Sequence, residues 1–351
     1  MHMTKLVAAL ALALGLSAGG QAGVLFDADG SGSVTGPIDL GGMGWSTTSA
    51  VAVGGTTAIA AGVGSIFTVL TQARLVDTTN QSSVPNTPTG LNTSYEITMI
   101  ASFQEVVTGV SGSSATFATT GIGILQIYFD PIINSDDLTG HGFNDGRLIL
   151  QGTLDQSGRI GFFLVTDPTP VQFDQFPGGV PNPAVDDYGS GACGTDQCTV
   201  SGTGSQASIA VDALTQDYSF FITQLATFGI TFANISQQLP FTGANPSDCF
   251  TIPTPGVVGT STVGTRPCAL FHLDAPYSGN TPDSAGGYVP LTGPVNGLFT
   301  LGFPDFVFQT RYDATVTPGA QVPEPGSLAL LGLGLGALGL RGFRRRSAKP
   351  N

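Results

Sequence analysis

The stretch that decides the fold covers residues 95–130 and reads YEITMIASFQEVVTGVSGSSATFATTGIGILQIYFD. Two long segments, residues 95–107 and 115–130, are rich in β-branched and aromatic residues, which favour strands. Between them lies a tip at residues 109–114 that is mostly Gly and Ser, which favour turns. The pattern predicts a long antiparallel hairpin.

An alternating segment precedes this hairpin at residues 66–76. Side chains of an extended strand point to opposite faces in turn, so the segment predicts a strand with two distinct sides. One side carries Phe67, Val69, Thr71 and Ala73, and the other carries Ile66, Thr68, Leu70 and Gln72.

Strand patterns and loops alternate through the rest of the chain. A second hairpin is predicted from residues 147–154 and 159–166, across a turn at residues 155–158. Residues 167–190 predict either a long ordered loop or a boundary between two lobes. Single strands are predicted at residues 23–26, 199–214, 218–232 and 306–317, although residues 215–228 could instead form a short helix.

Composition agrees with a β protein. Glycine accounts for 50 of 351 residues and charged residues for only 10%, and long helical patterns rich in Ala, Glu, Lys and Leu are missing between the two ends. We expect an all-β fold over residues 23–317, a large antiparallel β-sandwich-like domain with long loops rich in Gly, Pro and Thr.

The C-terminal stretch has three parts in a fixed order. Val322-Pro323-Glu324-Pro325-Gly326 comes first, an apolar run at residues 328–340 follows, and arginines at 341, 344, 345 and 346 close it. The thirteen apolar residues would rise about 20 Å as a helix, against a bilayer core of about 30 Å, so the span is marginal. The arginines would hold the C-terminus in the cytoplasm and leave everything before Val322 outside.

These three parts resemble the PEP-CTERM sorting signal of Gram-negative bacteria. The resemblance implies that a membrane-embedded exosortase recognises Pro323, Glu324 and Pro325 and removes the helix. We assign residues 318–321 to a linker and residues 322–347 to the signal, with a transmembrane helix at 327–343 and a basic tail at 344–351. The alternative is a permanent anchor, in which Gly332 and Gly336 form a helix-pairing face.

The N-terminal residues predict export. Lys5, an apolar run at residues 6–16 and the small residues Gly20 and Ala22 fit a secretory signal peptide over residues 1–22, so that the mature chain begins at Gly23. An earlier cleavage after Ala18 is the alternative.

The charge of the predicted mature region is strongly acidic. Residues 23–321 contain five arginines, no lysine and 23 acidic residues, which leaves a net charge of −18. Such a surface repels nucleic acid and anionic lipid. Partners are expected among cations, neutral glycans, exopolysaccharide or other matrix components, although acidity can also serve solubility alone.

Four cysteines lie in the exported region: Cys193, Cys198, Cys249 and Cys268. An even number in an oxidising compartment predicts two disulfides. Local pairing, Cys193 with Cys198 and Cys249 with Cys268, is favoured among the three connectivities because each pair brackets a loop.

Residues for catalysis are scarce, and we expect no enzymatic activity. Only His141 and His272 remain in the exported region, and no nucleophile-elbow, phosphate-loop or zincin motif occurs. His141 lies between two glycines, where a solvated or backbone-bonded imidazole is favoured over a general base.

Oxygen-rich clusters suggest calcium at two places, with tight Asp/Gly turns as the alternative. Asp27, Asp29 and Ser31 match the first positions of an EF-hand loop, but Ile38 stands where that loop requires Glu. The second cluster comprises Asp130, Asp136, Asp137, Asn144 and Asp145.

Short motifs in the first half resemble the flocculation-associated PEP-CTERM proteins over residues 24–154. They are Phe26-Asp-Ala-Asp-Gly-Ser-Gly, Tyr95-Glu-Ile-Thr, Phe103-Gln-Glu, Ile127-Tyr-Phe-Asp, Gly140-His-Gly-Phe-Asn-Asp-Gly and Ile149-Leu. The resemblance implies a secreted protein that contributes structurally or adhesively to floc or biofilm matrix at the surface of a Gram-negative bacterium. The rival hypothesis is a glycan-binding module with a calcium-supported loop.

Overall fold

A computed structural model describes residues 23–32, 36–112, 114–137, 140–154, 160–172, 198–206, 209–231, 247, 249–261, 268–270 and 306–319. The described chain is almost entirely β. It contains one short helix, α1 (Gly55–Ala61), and sixteen strands: β1 (Val24–Phe26), β2 (Ile38–Leu40), β3 (Gly42–Trp45), β4 (Thr48–Val53), β5 (Ile66–Thr79), β6 (Glu96–Ser111), β7 (Ser114–Asp130), β8 (Arg147–Leu154), β9 (Ile160–Gln172), β10 (Cys198–Gln206), β11 (Ile209–Gln216), β12 (Leu225–Thr231), β13 (Cys249–Thr251), β14 (Cys268–Leu270), β15 (Phe306–Thr310) and β16 (Asp313–Pro318).

Strand pairing closes on itself. Starting from β7, each strand pairs antiparallel with the next in the order β7, β8, β11, β12, β16, β3, β5, β6, and β6 pairs back to β7. The all-β antiparallel prediction is confirmed, but the sandwich-like arrangement is corrected to an eight-stranded barrel with extra strands. A sandwich leaves two sheets with free edges, whereas this ring satisfies both edges of its eight strands where they pair.

The predicted central hairpin is confirmed. β6 and β7 pair from Glu96 opposite Asp130 to Ser111 opposite Ser114, and Gly112 at the tip has φ of 58°. With 16 residues in β6, the hairpin extends about 50 Å at ~3.3 Å per residue. It is the longest strand pairing in the barrel wall, and β5, β8 and β9 pair with its two strands.

The second predicted hairpin is wrong. β8 and β9 both pair with β7, Leu154 opposite Gly123 and Ile160 opposite Ala118, so β9 continues along the same edge in the same direction. β15 and β16 are likewise two strands in place of the single predicted strand at 306–317. Between them, the Tyr312 carbonyl accepts the backbone N–H of Trp45 over 3.1 Å.

Alternate residues of the wall fill the barrel. Along β6, Ile97, Met99, Ala101, Phe103 and Val107 are buried in the main hydrophobic cluster. Of the two sides predicted for β5, the side with Phe67, Val69 and Ala73 lies in the same cluster with Thr71 buried beside it, and Leu70 from the other side is buried in that cluster as well. A cavity of about 10 Å³ remains at this level, enough for roughly one water molecule. Its lining comprises Thr71, Met99, Ala101, Phe103, Leu154, Ile209, Ile230 and Tyr312.

One end of the barrel is covered by a small layer that we call the cap, made of β1, β2 and residues 221–223. β1 pairs with β2, and Phe26 forms a bridge with Phe221. The rings of these two phenylalanines lie 4.9 Å apart. Val24 and Leu40 are fully buried with them in the cluster that fills the barrel, so the cap closes this end.

A loop at residues 131–146 covers the outer wall near the same end. Phe143 from this loop packs with Ile100, Tyr128 and Leu148 in a second, separate hydrophobic cluster. The wall of β6, β7 and β8 is therefore buried on both faces at the cap end.

Helix α1 was not anticipated from the Ala/Gly-rich sequence around it. The alternative helix at residues 215–228 is also wrong, since a turn at residues 217–221 leads into β12. β9 continues to Gln172, so the first part of the predicted 167–190 loop is a strand, and residues 173–190 lie outside the described residues.

Across the described ranges, no helix has both the length and the apolar character needed to cross a bilayer. The predicted signal peptide and transmembrane helix lie outside these ranges.

Candidate functional site

The loop at residues 27–32, which we call the Asp27 loop, brings the carboxyl groups of Asp27 and Asp29 together at the cap end. Asp27 directly follows β1 and is only 2% exposed, and its Oδ2 accepts the Gly32 N–H over 2.6 Å. Asp29 Oδ1 accepts the Ser31 N–H over 2.9 Å. These bonds are those of a tight Asp/Gly turn, and they already occupy one oxygen of each carboxyl group.

The two carboxyl groups of this loop also bond to each other. Burial, together with this hydrogen bond, raises the pKa of Asp27. Burial acts on Asp29 in the same sense, but hydrogen bonds from Ser31 and from Asp27 outweigh it and lower the Asp29 pKa. Asp27 therefore retains a proton at pH values where Asp29 is ionised. Burial and the nearby Asp29 and Asp27 also raise the pKa of Tyr95 to about 12.

A second group of carboxyls lies where β6 begins and β7 ends. Glu96 is fully buried and stands directly opposite Asp130. Glu96 Oε1 accepts the N–H groups of Asn134 and Ser135 over 2.9 and 2.8 Å, and Oε2 accepts the Ser135 hydroxyl. Glu96 thus fastens the 131–146 loop to the barrel wall, a role that its position in the sequence did not suggest.

Asp145 completes this group, which we call the carboxyl cluster (Glu96, Asp130 and Asp145). Asp145 Oδ2 accepts Asn134 Nδ2 over 2.9 Å, and its carboxyl group bonds to that of Asp130. Burial, reinforced by Asp145 and Glu96, raises the pKa of Asp130 to about 6. Asp130 therefore retains a proton below that pH and adds a negative charge to the cluster above it.

The structure divides the second predicted calcium cluster. Asp130 and Asp145 are together, but Asp137 turns toward the neighbouring wall, where its Oδ2 lies 3.5 Å from Arg74 Nη2. Thr48 Oγ1 donates to the same carboxyl over 3.4 Å. Burial raises the pKa of Asp137, with Arg74 opposing it. Asp136 donates its backbone N–H to the His141 carbonyl over 3.0 Å and so helps to close a turn.

The Gly140-His141-Gly142 motif has a structural reason. Gly140 and Gly142 adopt φ of 75° and 77°, in the left-handed region that favours glycine. A Cβ at Gly140 would collide with the Cys249 carbonyl oxygen, and one at Gly142 would collide with the Asn134 carbonyl. The two glycines thus allow the loop to pack closely on β13 and on itself. His272 lies outside the described residues.

Metal binding stays a prediction at both places. Within the ranges that the structure describes, no group of three or more His, Cys, Asp and Glu side chains is arranged to hold a metal ion.

Cys249 and Cys268 lie on adjacent antiparallel strands. Cys249 stands opposite Leu270 and Cys268 opposite Thr251 in the β13–β14 pair, so the two cysteines are diagonal neighbours. No described cysteine is free. The two predicted pairings, including that of Cys193 with Cys198, stay predictions.

The described chain begins and ends at the cap. The Gly23 carbonyl accepts the Thr223 hydroxyl over 3.4 Å, and the Gly319 N–H donates to the Gln224 carbonyl over 2.7 Å. Residue 320 and the residues after it, including Pro323, Glu324 and Pro325, lie outside the described residues.

Comparison with known proteins identifies this C-terminal segment. The family model of the PEP-CTERM protein-sorting motif matches residues 321–346. No curated protein and no solved structure matches the chain. The chain therefore carries a PEP-CTERM sorting motif at its C-terminus, and this motif implies an exported surface protein that is sorted by an exosortase.

Proposed function

We propose that this protein is a structural or adhesive component of an extracellular matrix, in a biofilm or a floc, which reaches the cell surface through exosortase sorting. The observation that carries the proposal is the sorting motif at residues 321–346. The motif accounts for export and sorting, and the matrix role is inferred from the barrel and its charge.

The interior of the barrel supports a function on its outer surface. The cavity lined by Thr71, Met99, Phe103 and Tyr312 holds about 10 Å³, far below the several hundred Å³ of ordinary ligand sites. The described wall is packed with apolar side chains at this level. Partners are therefore expected on the outside of the barrel and on its loops.

The charge of that outer surface favours cations and other matrix components. Three described arginines form ion pairs with carboxylates of this same chain. These pairs use up positive charge, and the net charge of residues 23–321 stays strongly negative. The pairs are Arg74–Asp137, Arg147–Asp217 and Arg311–Asp313. Divalent cations can bridge carboxylates of neighbouring chains, and association in the matrix would then depend on calcium.

The alternative function is a glycan-binding module with a calcium-supported loop. The convergence of Glu96, Asp130 and Asp145 beside an ordered loop is the observation that favours it. In that case, calcium would act within one chain and would not draw chains together.

Light scattering of the purified mature region, residues 23–321, tests the proposal. The protein is titrated with calcium and then with sodium at matched ionic strength. Asp130→Asn/Asp145→Asn alters the carboxyl cluster, and Asp27→Asn/Asp29→Asn alters the Asp27 loop. The control, Asp77→Asn/Asp212→Asn, removes the same charge from two exposed carboxylates.

Calcium should promote association of the wild type more than sodium does. Loss of this effect in one of the two double variants, but not in the control, would place the bridging at that loop. If calcium and sodium promote association equally, the association results from charge screening and not from calcium bridging. A wild-type protein that stays monomeric throughout and binds a defined oligosaccharide would contradict the matrix role in favour of the alternative.

A further inference from the structure

The two ends of the described chain leave the fold side by side. Gly23 bonds to Thr223 and Gly319 bonds to Gln224, two consecutive residues whose Cα atoms are about 3.8 Å apart. The end that leads to the sorting motif therefore emerges from the edge of the cap.

The cap has an apolar outer face. Phe26 bridges Phe221 in an antiparallel pair, which makes Leu25 and Ile222 the next pair along, and the Ile222 N–H donates to the Leu25 carbonyl over 2.9 Å. The two phenylalanines are buried in the core, so the neighbouring positions point outward. Leu25 and Ile222 are each 42% exposed, and Tyr218 in the adjoining turn is 60% exposed.

The length of the following chain limits how far this face can lie from the apolar run. Eight residues lie between Gly319 and Leu328, so the two are at most about 30 Å apart when that chain is fully extended. The tip of the β6–β7 hairpin is at the opposite end of strands about 50 Å long. With the apolar run inserted in a bilayer, the cap is the end of the barrel that lies near the lipid.

We propose that the outer face of the cap, formed by Leu25, Ile222 and Tyr218, contacts the surface of the bilayer that holds the C-terminal apolar run of the same chain. This inference rests on the proposed function, because it requires the sorting segment to insert. Exposed aliphatic side chains gain by leaving water, and tyrosine is enriched at membrane interfaces. Asp39, opposite Leu25 in the β1–β2 pair, and the net charge of −18 select neutral, zwitterionic lipid over anionic lipid.

The contact orients the barrel. The hairpin tip and the far ends of β5 and β6 then point away from the membrane, toward other chains or matrix. The contact also gives the sorting enzyme a fixed approach to residues 323–325, since the fold ends only four residues before Pro323.

Fluorescence quenching in vesicles of zwitterionic phosphatidylcholine tests this contact with the full-length chain. Ile222→Trp and Leu25→Trp place a probe on the cap, and Ile66→Trp places one at the opposite end of β5, where Ile66 is 55% exposed. The native Trp45 is 1% exposed and gives the same background in all three. Lipids that carry a nitroxide quencher at the headgroup report which probe is near the surface, and flotation reports insertion.

Both cap probes should lose fluorescence with the nitroxide lipid, while the Ile66→Trp probe should keep it. Equal quenching of cap and far-end probes in chains that float with the vesicles would overturn the contact and leave the sorting function intact. Chains that do not float would contradict both the contact and the sorting function on which it rests.

Discussion

Glu105 is an acidic residue on the interior side of the barrel wall. It stands opposite Phe67 on β5 and Thr119 on β7, and only 6% of its surface is exposed. Burial raises the pKa of Glu105 to about 8 from the ordinary value of 4.5. The folded protein therefore holds a proton that the unfolded chain releases between these two pH values.

This proton makes stability depend on pH. Because the folded state binds the extra proton, the free energy of unfolding should fall as pH rises from about 4.5 to about 8, by up to about 1.4 kcal/mol per pH unit. Glu105→Gln cannot ionise and should remove this part of the slope. Urea unfolding at several pH values measures it, with Asp212→Asn as an exposed-acid control. A Glu105→Gln slope equal to the wild-type slope would contradict the assignment.

Single residues show where reading the sequence succeeded and where it could not. Asp27 and Asp29 do converge, because local turn chemistry brings residues two apart together. Asp137 did not join Asp130 and instead pairs with Arg74 from β5. Glu96 was missed because its partners are 38 and 39 residues away in the chain.

Among the elements, the 131–146 loop depends on its glycines as much as on Glu96. Gly140→Ala would strain the backbone at φ of 75° and would also push against the Cys249 carbonyl. We expect a loss of about 1–3 kcal/mol or more in unfolding free energy and faster proteolysis within the loop. Gly54→Ala is the matched control, since Gly54 has the same φ of 75° but no atom near its Cβ position. Equal losses in the two variants would show that close packing on β13 is not what requires Gly140.

The β13–β14 pair carries the redox prediction. Cross-strand neighbours at Cys249 and Cys268 and an even number of cysteines favour two disulfides in exported protein. Alkylation under denaturing, non-reducing conditions, followed by peptide mapping, should find no free thiol. Two alkylated cysteines per chain would be enough to reject the prediction.

The positions of the strands were predicted better than which strands pair with one another. The β6–β7 hairpin followed from its pattern because its turn is local and short. β8 and β9 were correctly recognised as strands, but periodicity does not specify which strand lies beside which. The second strand continues along β7 past Ala118 and does not fold back on the first.

At the scale of the whole molecule, the alternation of apolar and polar residues could not predict that the strands close into a ring. Alternating buried and exposed residues are the same in a sandwich and in a barrel, and only the pairings of β3 with β16 and of β12 with β16 close this one. The β3–β16 pairing joins residues from opposite ends of the chain. The sorting motif at residues 321–346 could be recognised from the sequence because its three parts follow one another directly along the chain.

The central claim is that a sorting enzyme recognises the motif at residues 321–346 and removes its apolar run. Glu324→Gln changes the acidic residue between two prolines and should deprive the enzyme of its cue. Asp313→Asn, an equal change in charge upstream, serves as the control.

The most direct measurement is fractionation of producing cells with intact-mass analysis of wild type and both variants. Wild type and Asp313→Asn should be found outside the inner membrane with masses that lack residues 1–22 and the C-terminal apolar run, while Glu324→Gln should stay in the membrane with that run attached. Release of Glu324→Gln in a form processed like the wild type would contradict the account.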